Sequence, residues 1–170
     1  MIDEVQTSEI VDKQGGEKVI TIKKAAVSEI DEILSLINRY TEQGILLKQT
    51  RRSLYNNLSL TYVAVAEDEI IGTASLYQLD RNLAEVRSLA VDVNKGQSGI
   101  GRALVERLIK ETKHLHIKRI MATTGETGFF AKCGFHLTDI ENVPQKMNQD
   151  CSDCSELHVC TKQVMIMSVT

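Results

Sequence analysis

The sequence predicts an α/β chain built on one mixed, mostly antiparallel sheet flanked by helices. Three observations predict it. Apolar residues recur at two-residue spacing in some segments and at helical spacing in others, in the order β-α-α-β-β-β-α-β-α-β-β. Three of those strands, between Thr61 and Val91, are joined by the short polar turns Glu67-Asp68-Glu69 and Asp80-Arg81-Asn82, which makes an antiparallel meander. The third strand, Glu85 to Val91, runs into a loop holding Gly96, Gly99 and Gly101 and then straight into a helical pattern.

Met1 to Lys18 contains Gly15-Gly16 and no periodic apolar pattern. This predicts a loosely held tail over 1–18 and a single domain over 19–170. Val19-Ile20-Thr21-Ile22 alternates as a half-buried strand should. Ser28 stands three residues before Asp31, a capping-box-like start. Ile30, Ile33, Leu34 and Ile37 then fall at helical spacing, with Gly44 as the stop. Ile45 to Leu60, where Lys48, Arg51 and Arg52 lie beside Tyr55, reads as a shorter helix. After the meander, Ile100, Leu104 and Leu108 stack at i, i+4 and i+8 with Ala103 beside them. Lys118 to Thr124 reads as a strand, Phe129 to Gly134 as a short helix, Phe135 to Leu137 and Val164 to Val169 as strands. The polar segment 139–162 between the last two carries the only proline and three of the four cysteines. That is long for a connection, so it is functional or flexible.

At 170 residues the chain is long enough to bury roughly two-thirds of its unfolded surface. A formal net charge of −3 argues against nucleic acid, which needs a basic footprint. No apolar run approaches the ~20 residues of a membrane helix, and the acidic N-terminus has no secretory-signal pattern. The expected location is the cytoplasm, so the cysteines read as thiols or metal ligands before disulfides.

The Gly-rich loop carries the first chemical expectation. A helix start has N–H groups with no internal partner, and glycines let an anion approach the main chain. A phosphate site and a plain βα turn both fit that pattern.

Strand, Gly-x-Gly loop and helix, followed by a strand and Phe129-Phe130-x-x-x-Gly134-Phe135, resembles the GCN5-related N-acetyltransferase family over about residues 19–140. The resemblance implies that family's fold and acetyl-CoA as co-substrate. Gly99 and Gly101 match the family's loop glycines, while Gly96 stands where relatives carry arginine or glutamine. The resemblance assigns the cofactor to Gln97, Ser98, Gly99, Ile100, Gly101, Arg102 and Ala103 around the pyrophosphate. Leu89, Ala90 and Val91 would pair with the pantetheine arm as an added strand, and a backbone N–H at or beside Leu89 would face the developing oxyanion.

Three further stretches are similar to the acetyltransferase domain of N-acetylglutamate synthases. They are Glu42 to Leu47, Ala84 to Val91, and Val143-Pro144-Gln145-Lys146 followed by Cys151, Cys154 and Cys160. The short bacterial forms without a kinase domain are the expected class, acetylating the α-amine of L-glutamate for arginine biosynthesis. Gln49 and Thr50 stand where relatives carry arginine and serine, and Tyr77 where long forms carry lysine.

An ammonium must lose a proton before it attacks a thioester, and a carboxylate can accept it. Glu85, at the start of the central strand, is that base by resemblance; by count alone it is equally a strand-end charge. Alternation puts Glu85, Arg87 and Leu89 on one face. Arg87 is shaped to hold a substrate carboxylate or to pair with Glu85. Lys48 and Lys146 are further substrate-binding candidates, with Arg51 behind them and a solvated surface as the alternative for each. Phe130 stands where relatives place a tyrosine acid, so no general acid is assigned. Cys151, Cys154, Cys160 and His158 could form a zinc site, remain thiols or oxidise; no metal site is assigned. Cys133 reads as core packing. The expected partners are acetyl-CoA and L-glutamate, with a homodimer allowed and neither nucleic acid nor membrane. An acetyltransferase for another amine, and a non-catalytic acyl-CoA-binding or metal-sensing module, are the alternatives.

Overall fold

The computed structural model describes residues 5–11, 15–94, 99–146 and 162–169. The strands are β1 (Gln6–Val11), β2 (Glu17–Lys24), β3 (Thr61–Ala66), β4 (Glu69–Asp80), β5 (Leu83–Val91), β6 (Arg119–Thr124), β7 (His136–Thr138) and β8 (Gln163–Ser168). The helices are α1 (Ile30–Thr41), α2 (Arg51–Asn56), α3 (Ile100–His114), α4 (Thr127–Lys132) and the single turn α5 (Pro144–Lys146). One eight-stranded sheet runs in the order β1-β2-β3-β4-β5-β6-β8-β7. The β5–β6 pair is parallel, and the β1–β2, β2–β3, β3–β4, β6–β8 and β7–β8 pairs are antiparallel. The mixed α/β class expected from the sequence is the one found.

The stretch 1–18, expected as a loose tail, contains strand β1, which pairs with β2 from Gln6↔Ile22 to Val11↔Glu17. Its alternation is too short and too polar to read before its partner is known. Contacts divide the chain into two compact units, Met1–Leu76 with Arg87–Leu108 and Tyr77–Val86 with Ile109–Thr170.

In the first unit, Ile30, Ile33, Leu36 and Ile37 of α1 pack with Leu54, Val63, Ile70 and Ala90. Leu36 takes the fully buried place expected of Leu34, which is only partly covered. A 3-10 turn, Val27–Glu29, precedes α1, and the Glu29 carboxylate accepts from the Ala26 N–H at 2.7 Å. Glu29, rather than Ser28, therefore does the capping. At the other end Gly44 adopts φ 72°, and the Ile45 N–H reaches back to the Tyr40 carbonyl at 2.9 Å. That is the Schellman closure a glycine allows. The second expected helix shrinks to α2, capped reciprocally by Thr50 and Ser53 at 3.0 Å each way.

Helix α3 begins against β4 at Gly72. A Cβ on Gly72 would stand 3.1 Å from Ile100 Cγ2 and 3.1 Å from Leu104 Cδ1. The missing side chain lets the first turns of α3 lie close on the strand. In the second unit, Leu79, Leu83, Met121, Val143, Val164 and Ile166 form a separate core cluster. Phe130 is buried there between Phe129 and Phe135, with edge-to-face centroid distances of 5.1 and 5.2 Å.

Candidate active site

Strand β5 carries the expected chemistry. Its register with β6 runs Leu83↔Arg119, Ala84↔Ile120 and Glu85↔Met121. Three residues past Glu85, Ser88 adopts φ 54°. A non-glycine residue in the left-handed region costs roughly 1–2 kcal/mol and breaks side-chain alternation. Ser88 lies beyond Arg87, so Leu89 is no longer tied to the Glu85 face by simple alternation. Nothing in the residue types around Ser88 announces that break.

Glu85 is 3% exposed and Lys146, on α5, 4%. The Lys146 Nζ lies 2.9 Å from Glu85 Oε1 and 3.2 Å from Oε2, so one ammonium faces both oxygens. The Thr123 hydroxyl stands 3.5 Å from Oε1. Sequence reasoning named Glu85 and Lys146 separately and set Arg87 as the ion-pair alternative; the structure brings Glu85 and Lys146 together. A link between residues 61 apart leaves no local spacing signal.

The turn carrying Lys146 is pinned at its backbone. The Lys146 N–H bonds the Val143 carbonyl at 3.0 Å, and Val143 is fully buried. The Gln145 amide donates to Asp80 Oδ2 at 2.8 Å. That bond, followed by the Asn82 N–H donated to the same carboxylate, holds the Asp80 carboxyl below its ordinary range.

The first unit holds the expected cofactor elements. The Asp92 N–H continues the β4 contact by donating to the Ile71 carbonyl at 2.8 Å. Asp92 also accepts from the Asn94 N–H at 3.0 Å and from Arg39 at 3.2 Å. The Tyr40 hydroxyl donates to the Val91 carbonyl. Burial, and then the Asp92 charge, push the Tyr40 phenol above its ordinary pKa, so it stays a donor. Together Arg39, Tyr40 and Asp92 fix how the chain leaves β5. Sequence reasoning missed all three, although an Asp two before an Asn after a strand is an Asx-turn signal.

Gln97 and Ser98 lie outside the described residues, as do Cys151, Cys154, Cys160 and His158. Gly99 adopts φ 100°, and its carbonyl accepts the first helical bond of α3, from the Ala103 N–H at 2.9 Å. The N–H groups of Ile100, Gly101 and Arg102 come before that first bond, which is the donor set an anion at a helix start needs. The Arg102 side chain pairs with Glu106 at 2.9 Å and is more than half exposed. Ile100 is buried, so it offers backbone rather than side chain, while the N–H of buried Ala103 is already bonded to Gly99.

Of the remaining candidates, Lys48 is exposed and Arg51 pairs with Asp31 of α1. Gln49 and Thr50, the departures from relatives, serve α2: Gln49 accepts from the Ser53 hydroxyl at 2.8 Å, and Thr50 is the cap. Tyr77 is 38% exposed. Among the described residues no His, Cys, Asp and Glu cluster could hold a metal. An open cleft of about 560 Å³ lies beside β7 and β8, lined by Thr138, Asp139, Asn142 and Lys162, and includes neither Glu85 nor Lys146.

The sequence profile of the acetyltransferase (GNAT) family matches residues 28–135. The chain belongs to that family, whose co-substrate is acetyl-CoA, and it is an N-acetyltransferase. The amino-acid acetyltransferase of Mycobacterium tuberculosis is 34% identical over 126 residues, covering 72% of this chain and 71% of the relative. An uncharacterized N-acetyltransferase of Chlorobaculum tepidum is 27% identical, with 87% and 96% covered. Among solved structures, N-acetylglutamate synthase from Neisseria gonorrhoeae, complexed with coenzyme A and N-acetyl-glutamate, superposes with TM-score 0.80 at 25% identity. That match covers 92% of this chain but 36% of the synthase. Among the described residues no helix is long and apolar enough to cross a membrane.

Proposed function

We propose that this N-acetyltransferase acetylates the α-amine of an amino acid, L-glutamate first, with Glu85 as the base. The observation that carries the reading is the ammonium already seated against both oxygens of buried Glu85. The resident ammonium marks Glu85 as a carboxylate that binds an ammonium, and the acceptor takes that place by displacing Lys146. Relatives named amino-acid acetyltransferase at about a third identity support an amino acid as the acceptor.

The acetyl thioester is supplied by acetyl-CoA. Glu85 takes one proton from the acceptor ammonium, which exposes the nitrogen lone pair. As the C–N bond forms and the C–S bond breaks, the second proton leaves the nitrogen and the sulfur departs as CoA thiol. The net products are the N-acetyl amino acid, CoA and one proton. The Gly99–Ala103 helix start holds the pyrophosphate, with Gln97 and Ser98 ahead of it. Leu89, Ala90 and Val91 run beside the pantetheine arm, and the Tyr40–Val91 bond holds that edge in place. Arg87, with Lys48, receives the acceptor's side-chain carboxylate.

The expected setting is the cytoplasm and the opening step of arginine biosynthesis. A second reading, another amino acid or small amine as acceptor, is favoured by the use of Gln49 and Thr50 in capping α2. CoA release measured across acceptor amines separates the two: the proposal requires turnover with L-glutamate, and turnover with another amine alone overturns it.

A further inference from the structure

We infer that the Glu85–Lys146 ion pair is exchanged, charge for charge, for the zwitterion of the acceptor, so that Lys146 selects amines bearing an adjacent carboxylate. The inference deepens the reading of the chain as an amino-acid N-acetyltransferase and rests on it.

The side chains of Lys146 and Glu85 are 5% and 4% exposed, so neither charge is solvated. Any ammonium that reaches Glu85 must displace the one that spans its two oxygens at 2.9 and 3.2 Å. The displaced Lys146 head would then lose the Glu85 carboxylate from a buried position, which is costly. A simple amine brings nothing to neutralise it and adds a net positive charge to the site. An α-amino acid brings its own anion. Its nitrogen and carboxylate carbon are about 2.5 Å apart by covalent geometry, so both charges arrive together. Ammonium against Glu85 and α-carboxylate against Lys146 would give four alternating charges and leave the total unchanged.

The local structure allows this exchange. The backbone of α5 is held by buried Val143, by the Lys146 N–H to Val143 carbonyl bond and by Gln145 on Asp80. The movable part is the Lys146 head, a point charge with three donors on a flexible four-carbon stem. An arginine there would keep the charge but not the compact geometry. The role assigned is recognition of the carboxylate beside the reacting amine, distinct from the side-chain carboxylate given to Arg87.

The test compares the best α-amino acid acceptor with its α-carboxamide on the full chain, wild type, Lys146→Met and Lys146→Arg. kcat and KM are measured for each, and acetyl-CoA affinity is measured separately. A charged hydrogen bond of this kind is expected to give the wild type roughly a 10–150-fold preference in kcat/KM for the acid. Lys146→Met should erase that preference, bringing kcat/KM for the acid down to the value for the amide, while acetyl-CoA affinity holds. Lys146→Arg should retain part of the preference. Equal wild-type use of acid and amide overturns the inference. So does an equal loss of both acceptors in Lys146→Met, which marks a purely structural lysine. If Lys146→Met does not fold, the wild-type ratio and Lys146→Arg decide. A best acceptor that is an α-amino acid other than glutamate defeats the glutamate choice and leaves this inference standing. Turnover confined to amines without a carboxylate defeats both.

Discussion

Replacing Lys146 with methionine removes an ammonium while keeping most of the stem's volume. At an effective dielectric of about 20, the attraction across the 2.9 Å contact is ~6 kcal/mol before desolvation is subtracted. Both groups are almost wholly buried, so solvent screening offers little relief. Breaking such a pair from one side costs roughly 3–5 kcal/mol, because the remaining charge stays buried without its ionic partner from Lys146. For a chain of this size that loss lowers Tm by roughly 6–20 °C, at about 2–4 °C per kcal/mol. The double variant Glu85→Gln, Lys146→Met removes both charges and should recover most of the loss. The assay is a double-mutant cycle by chemical denaturation, with an expected coupling of at least about 2 kcal/mol. Single variants that each cost under about 1 kcal/mol and add without coupling would refute the buried-pair reasoning.

Three further outcomes follow from the same contacts. Glu85→Gln should lower kcat by roughly 100-fold or more, as expected for loss of a general base, with acetyl-CoA affinity unchanged in equilibrium binding. Gly72→Ala forces a Cβ against Ile100 and Leu104, both fully buried and unable to swing aside; overpacking of this kind costs about 1–3 kcal/mol, read as a lower denaturation midpoint. Asp80 has a folded-state pKa below its unfolded one, so its contribution is complete above the ordinary carboxylate range and is lost as pH falls through the depressed value. Gln145→Ala should therefore flatten the acid limb of a stability–pH profile below about pH 4.

The strands with strong alternation and the long helix with its Ile100-Leu104-Leu108 stripe were legible because local spacing determines them. Strand β1 was not, since a short polar stretch becomes a strand only when β2 supplies hydrogen-bond partners. Ser88 was opaque for a related reason: its left-handed backbone is imposed by surrounding structure, not by a glycine or asparagine at the site. The site divides in the same way. Glu85 and Lys146 each stood out by residue type, yet their pairing joins positions far apart in the chain and only the fold makes it visible. Tyr40 and Arg39 read as ordinary residues of a surface helix until the end of β5 is placed beside them. Gln49 and Thr50 show the converse: departures from a family pattern that the structure explains as capping of α2.

The most direct measurement is the initial rate of CoA thiol release from acetyl-CoA with each of the common amino acids and a set of simple amines. The account predicts that α-amino acids are acetylated on the α-nitrogen, with L-glutamate giving the highest kcat/KM and Glu85→Gln abolishing most of that rate. Turnover restricted to amines that lack a carboxylate, or turnover of glutamate undiminished in Glu85→Gln, would contradict it.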